Sequence, residues 1–421
     1  MIPKYYVNKI DTIIILFLCL FLIGFFNEHL TSFKSIGIGG ALMFTILNIS
    51  KNRSLQLKYP ILIYNNNKIS IHLFMLFFTV VFISSTFAYS DNIRSLYYLY
   101  REIKYPIIFL FIIIMLKPSK KSVDTILLAI VLSTIILNIH FFYKGDLLNG
   151  TLKIDRFFSS FFEITFPFSL ISFLTIKNNL FKLFIFIFSI CLGITLLLLT
   201  GARGSWFMIF FESLIILSYI LIKNRELLKK HKYYLIVGII FICTLLIYLY
   251  THSNLIKVKI NQGSYTSGRD IIIKDRFPIF LVSNTNLIGL GYGTFNYTKF
   301  LNDRNTTKRI GYYNKEKNIY IYWHDEPFLI SVFYHYGFIG FILLSIFLIY
   351  FIIYNLVKLK KTNYSDEMYF QVAIFSSFIG IFFMRGLFEN MHMKYVIILY
   401  FLYLIINTFT NDKHENSLHI S

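Results

Sequence analysis

Two arginines, one histidine and a glycine-rich turn have surroundings that suit chemistry. Arg203 stands in Leu199-Thr200-Gly201-Ala202-Arg203-Gly204-Ser205-Trp206, between two strongly apolar runs. A guanidinium in such a place is costly and normally has a partner or a task. Its planar fork suits a bidentate grip on phosphate oxygens, and the flanking glycines leave room for a large headgroup. Snorkelling to lipid phosphate is the simpler use of the same residue. His324 lies in Tyr322-Trp323-His324-Asp325-Glu326-Pro327, beside two acids, where a polar stretch meets an apolar one. An imidazole there can act as a general base, or do no more than hydrogen-bond the headgroup region. Arg269 follows Ser267-Gly268; Ser267 can cap a helix over the apolar spacing that follows, and that helix is expected to lie on a membrane surface. Gly289-Leu290-Gly291-Tyr292-Gly293 suits a turn close to another backbone better than a phosphate loop, and no GxxxxGK is present.

The elements that hold these residues are membrane spans. Of 421 residues, 56% are hydrophobic and only 15% charged, well below the roughly one quarter of a soluble domain. This excludes a disordered chain, a disulfide scaffold and an ordinary cytosolic enzyme. The net charge of +20 comes from short basic clusters between apolar runs, a pattern of membrane orientation and not of nucleic-acid binding. The fold class expected is all-α: a polytopic membrane protein with twelve spans, near 10–27, 33–50, 69–88, 97–116, 123–143, 157–176, 180–200, 205–222, 232–251, 327–357, 368–388 and 394–410. With both termini in the cytoplasm, the short inner connections carry about twice the Lys and Arg of the outer ones. The whole chain, 1–421, then forms one membrane domain, with an exported loop of short helices at 252–326 between spans nine and ten. Lys4 and Lys9 precede a long apolar run with no small-residue cleavage site, so the first span is expected to stay in place.

Other polar positions read more simply. Cys19, Cys191 and Cys243 lie in separate apolar runs and suit small buried hydrophobes. Glu163 and Glu212 fall within spans, facing the bundle interior or lying nearer a surface than the boundaries suggest.

Four segments together resemble the O-antigen ligase/polymerase superfamily. Leu198-Leu199-Thr200-Gly201-Ala202-Arg203-Gly204 is similar to its TxSR stretch, and Gly268-Arg269-Asp270 with the following helix to its loop motif. Gly289 to Gly293 resembles its GxG turn, and His324-Asp325-Glu326 through Gly337-Phe338-Ile339-Gly340 its HN-x-x-L…GxxG signature. Order, spacing and topology agree over about 195–350. Ala202 stands where Ser is usual and Asp325 where Asn is usual; neither change removes a charge-bearing position.

The resemblance implies a glycosyltransferase of the bacterial inner membrane, working on its periplasmic face. Its donor is a glycan on undecaprenyl diphosphate. For a ligase, which the resemblance favours, the acceptor is the lipid A-core oligosaccharide. His324, Arg203 and Arg269 match the family's essential residues, and Arg156 matches an earlier Arg motif more loosely. Diphosphate departure needs a cationic counterpart, and the chain contains no Asp-x-Asp to hold a metal. Arg203 and Arg269 are therefore expected to do that work without metal or cofactor, supported by Arg101 or Arg156. His324 would ready the acceptor hydroxyl in one inverting displacement. Asp325 would modulate it, and the rings of Tyr322 and Trp323 would pack on sugars. An O-antigen polymerase is the nearest alternative, and a lipid-linked glycan flippase or transporter the alternative from another class.

Overall fold

The computed structural model describes residues 9–52, 58–145, 154–261, 269–304, 312–314, 319–321, 327–361, 366–386 and 391–418. The apolar runs become helices: α1 (Lys9–Phe25), α2 (Thr31–Asn52), α3 (Lys58–Thr86), α4 (Asn92–Leu116), α5 (Lys120–Lys144) and α6 (Phe157–Thr175). Next, α7 (Asn179–Phe184) runs through a π-helical stretch, Ile185–Cys191, into α8 (Leu192–Leu199), followed by α9 (Arg203–Lys223) and α10 (Arg225–His252). The long connection holds α11 (Asn254–Asn261), α12 (Arg269–Leu281) and α13 (Thr294–Asp303), and the chain ends with α14 (Phe328–Lys361), α15 (Asp366–Ile379) with a π-helical end, and α16 (Met393–Leu418). The only described strands, β1 (Tyr312–Asn314) and β2 (Ile319–Ile321), form an antiparallel pair with Tyr313 opposite Tyr320.

Among the described residues, eight helical stretches are long and apolar enough to cross a bilayer. Two shorter apolar helices, Met368–Phe383 and Met393–Thr408, lie beside them. α4 is set apart by Arg94, Arg101, Glu102 and Lys104 in its first half, and α1 by its 17 residues. The molecule is an all-α polytopic membrane protein.

Burial follows from residue type. α6 is apolar on every side and is buried over almost its whole length, so it forms the centre of the bundle. It packs against α5, α9, α15 and the π-helical stretch after α7. In that stretch the Asn138 side chain donates to the carbonyls of Phe188 and Ser189, at 2.8 and 3.0 Å, supplying donors from α5 in an apolar setting. Glu163 and Glu212 are both fully buried, so of the two placements open from the sequence they take the bundle interior.

α3 breaks at Asn67, whose φ of −131° is not helical. Its amide joins a buried polar group with Asn407, Gln371 and Asn355 that links α3, α14, α15 and α16 near the C-terminal end of α14. Lys358 donates into the same group at Asn407. Such interhelical hydrogen bonds do the work in lipid that apolar burial does in water.

The described helices of the long connection do not simply lie on a surface. α12, the 289–293 turn, α13 and the first turns of α14 share a small core of Phe280, Leu290, Phe300, Leu301 and Phe333. Arg276 is buried there, 3.2 Å from the hydroxyl of Tyr297.

Candidate functional site

Arg94, Tyr98 and Glu102 recur every four residues on α4 and so share one of its faces. From Arg94 to Glu102 the helix rises about 12 Å. Asp91 caps this helix by accepting the Arg94 backbone N–H at 2.9 Å. The three side chains line a cavity of about 830 Å³. Its other walls are the glycine-rich turn with α13, the first turns of α14, and the Met391–Met393 segment that leads into α16. The guanidinium of Arg94 lies 4.5 Å from the ring centre of Phe295, and Lys299 and Asp303 of α13 line the same space.

The turn is held by a break in α14. Gly337 has φ 66° and ψ −168°, so the helix stops and restarts there. The break releases the carbonyls of Tyr334 and His335 and the N–H groups of Phe338 and Ile339 from their intrahelical partners. The incoming chain satisfies all four. Leu290 and Gly291 donate to Tyr334 and His335 at 2.8 and 3.0 Å, and Phe338 and Ile339 donate to Asn286 and Leu287 at 2.9 and 3.2 Å. Ser84 of α3 donates to the His335 carbonyl at 2.5 Å and accepts from the Gly291 N–H at 3.2 Å. Gly291 has φ 85°, and a Cβ there would meet Ala88 at 2.5 Å, so two backbones could not approach this closely with another residue.

The latch positions Tyr292. Its carbonyl accepts from Ser95 of α4 at 2.8 Å and from the Asn296 amide at 3.2 Å. The Asn296 carbonyl oxygen in turn accepts from the backbone of Ser90 at 3.1 Å. Fixed to the start of α4 in this way, Tyr292 lines the cavity beside Glu102. Loss of solvent, then the negative charge of Glu102, raises the phenol well above its ordinary pKa, so it stays protonated as a donor.

Glu102, 9% exposed, has partners from the opposite wall. One carboxylate oxygen accepts the Lys394 N–H at 3.0 Å. Lys394 is the second residue of α16, so Glu102 supplies a cap to that helix from α4. The other oxygen lies 3.4 Å from Nδ1 of His392.

The residues expected from the sequence lie as follows. Arg203 opens α9 and is partly exposed; it does not line this cavity. Arg156 is exposed just before α6. Arg101 is exposed on α4, with its guanidinium 6.0 and 5.9 Å from the rings of Tyr97 and Tyr98, of which Tyr98 lines the cavity. Arg269 opens α12. Tyr322, Trp323, His324 and Asp325 lie outside the described residues; Phe328, shortly after them in sequence, lines the cavity.

Arg94, Glu102, Lys299, His335 and His392 line the cavity and were not singled out by sequence reasoning. Glu102 was hidden between Arg101 and Lys104, where a carboxylate reads as part of a basic connection. The four-residue recurrence of Arg94, Tyr98 and Glu102 was the signal that could have found it.

Among the described residues no group of three or more His, Cys, Asp or Glu side chains is placed to hold a metal ion. No known family profile matches the chain. No curated protein matches it significantly either.

Proposed function

We propose that this chain is a lipid-diphosphate-dependent glycosyltransferase of the O-antigen ligase type. It moves a glycan from undecaprenyl diphosphate to lipid A-core on the periplasmic face of the bacterial inner membrane. One observation carries the reading. The connections α3–α4, α10–α14 and α15–α16, all outer in a twelve-span arrangement with cytoplasmic termini, converge on one cavity at one end of the bundle, whose largely apolar wall carries Arg94, Glu102, Lys299 and His392. Two of the segments that carry the family resemblance, 289–293 and 334–340, interlock in its wall.

A cavity of about 830 Å³ is large enough for a sugar diphosphate. Arg94 and Lys299 supply positive charge inside the cavity to meet the departing diphosphate, the task the sequence led us to expect of Arg203 and Arg269; Arg203 does not line the cavity. The acceptor oxygen attacks the anomeric carbon, the bond to phosphate breaks, and its electron pair leaves on the diphosphate. His324 orients the acceptor.

The test is purified protein in liposomes with lipid-linked glycan and lipid A-core, without added divalent metal. Covalent transfer to lipid A-core is the expected result. Transfer to a second lipid-linked glycan identifies a polymerase, and movement of donor across the bilayer without transfer overturns the enzyme reading.

A further inference from the structure

The geometry points to His392 as the general base that takes the proton of the acceptor hydroxyl, with Glu102 as its positioning residue. This assignment rests on the glycosyl-transfer reading above and leaves His324 the orientation of the acceptor.

His392 lines the cavity with its side chain 56% exposed, while Met391 and Met393 on either side of it are buried and anchor the segment. The imidazole turns Nδ1 to the Glu102 carboxylate at 3.4 Å. A carboxylate on that side holds the proton on Nδ1 and leaves the lone pair on Nε2. Nε2, across the ring, makes no hydrogen bond among the described residues.

Glu102 is itself immobilised. It accepts from the Lys394 backbone across the cavity, and it stands on the α4 face to whose start the Tyr292 turn is tied through Ser95 and Asn296. A base oriented by a fixed carboxylate, open to a cavity that also holds Arg94 and Lys299, is the arrangement that alcohol activation beside an anionic leaving group requires.

The step balances. The acceptor oxygen forms the new bond to the anomeric carbon, and the bond from that carbon to the phosphate oxygen breaks. The electron pair leaves on undecaprenyl diphosphate, and the hydroxyl proton passes to Nε2. The imidazolium, paired with Glu102, later returns its proton to water.

Four proteins in nanodiscs test this: wild type, His392→Ala, Glu102→Gln and the double variant, each assayed for donor affinity and for transfer at saturating donor and acceptor. His392→Ala is expected to lower kcat about 100-fold, within the usual range for a lost base, with donor Kd within twofold of wild type. Imidazole added to this variant is expected to restore the rate at least tenfold. Glu102→Gln lowers kcat about tenfold alone and has no further effect in the His392→Ala background, because it acts through the imidazole.

A His392→Ala protein that keeps kcat within threefold of wild type overturns the assignment. So does one that binds donor normally yet gains nothing from imidazole. An equal Glu102→Gln effect in both backgrounds removes its positioning role. Wild-type protein that binds donor but transfers nothing overturns the functional reading, and this inference with it.

Discussion

Nδ1 of His335 lies 2.9 Å from the carbonyl oxygen of Gly291, joining the break in α14 to the glycine-rich turn packed against it. Backbone bonds run beside this contact in both directions, from 290 and 291 to 334 and 335, and from 338 and 339 to 286 and 287. A helix that stops in an apolar setting leaves polar groups that must be satisfied, and here the turn that builds the cavity wall satisfies them.

Gly337 is therefore the residue least able to change. Its φ of 66° disfavours any L side chain, and a Cβ would run into the Leu287 carbonyl. Gly337→Ala is expected to cost about 1–3 kcal/mol, read as a lower unfolding midpoint in detergent and faster proteolysis within 282–304. An unchanged midpoint and cleavage pattern would show that the latch is not strained.

Arg94→Ala should weaken donor binding with little effect on acceptor. A charge-assisted contact with phosphate is worth about 1.5–3 kcal/mol, or roughly 10–100-fold in the donor KM. Arg94→Lys should recover only part of this, because an ammonium lacks the planar fork. Donor KM within twofold of wild type in Arg94→Ala would remove the residue from the diphosphate site.

Glu212 provides a contrast with Glu102. Both are buried, but neither carboxylate oxygen of Glu212 has a hydrogen-bond partner among the described residues. Glu212→Gln is expected to keep wild-type transfer and to move the unfolding midpoint by no more than about 2 °C, the effect of roughly 1 kcal/mol in a chain of this size. A large loss of transfer would reveal a task for this carboxylate.

Phe280 tests the small core under the site. It is fully buried, packed with Phe300 and Phe333. Phe280→Ala should cost about 3–5 kcal/mol locally, loosening α12 and α13 while α6 and its neighbours stay folded. Hydrogen exchange would show faster opening confined to 269–304; uniform acceleration across the bundle would contradict a separate unit.

The side on which the cavity opens is directly measurable. With Cys19, Cys191 and Cys243 replaced by Ser, Lys299→Cys should react with a membrane-impermeant maleimide added to intact spheroplasts. Labelling that requires lysis would reverse the orientation drawn from the charge distribution.

The helices were legible because lipid-facing and core-facing residues are both apolar, so hydrophobic runs mark them directly: each of the twelve expected stretches overlaps a described helix, and eight of the described helices are long and apolar enough to cross a bilayer. The turn at 289–293 was legible from its glycines, and a helix after Gly268 from its spacing. The partnership of Glu102 with His392 was not, because it depends on how α4 and α16 meet in space and neither residue stands in a local pattern that announces the other. Arg203 drew attention for the opposite reason, since its isolation between apolar runs is visible locally. It opens α9 at a helix junction and does not line the cavity just described.

The cap that Glu102 gives to α16 also sets a timetable. Lys394 is made 292 residues after Glu102, which at about 5–20 residues per second is a delay of roughly 15–60 seconds. Throughout that interval the nascent chain exposes a carboxylate whose final partners do not yet exist. Water at the bilayer edge must stand in for them, so α4 has reason to ride high during insertion and to settle only when the last helix arrives.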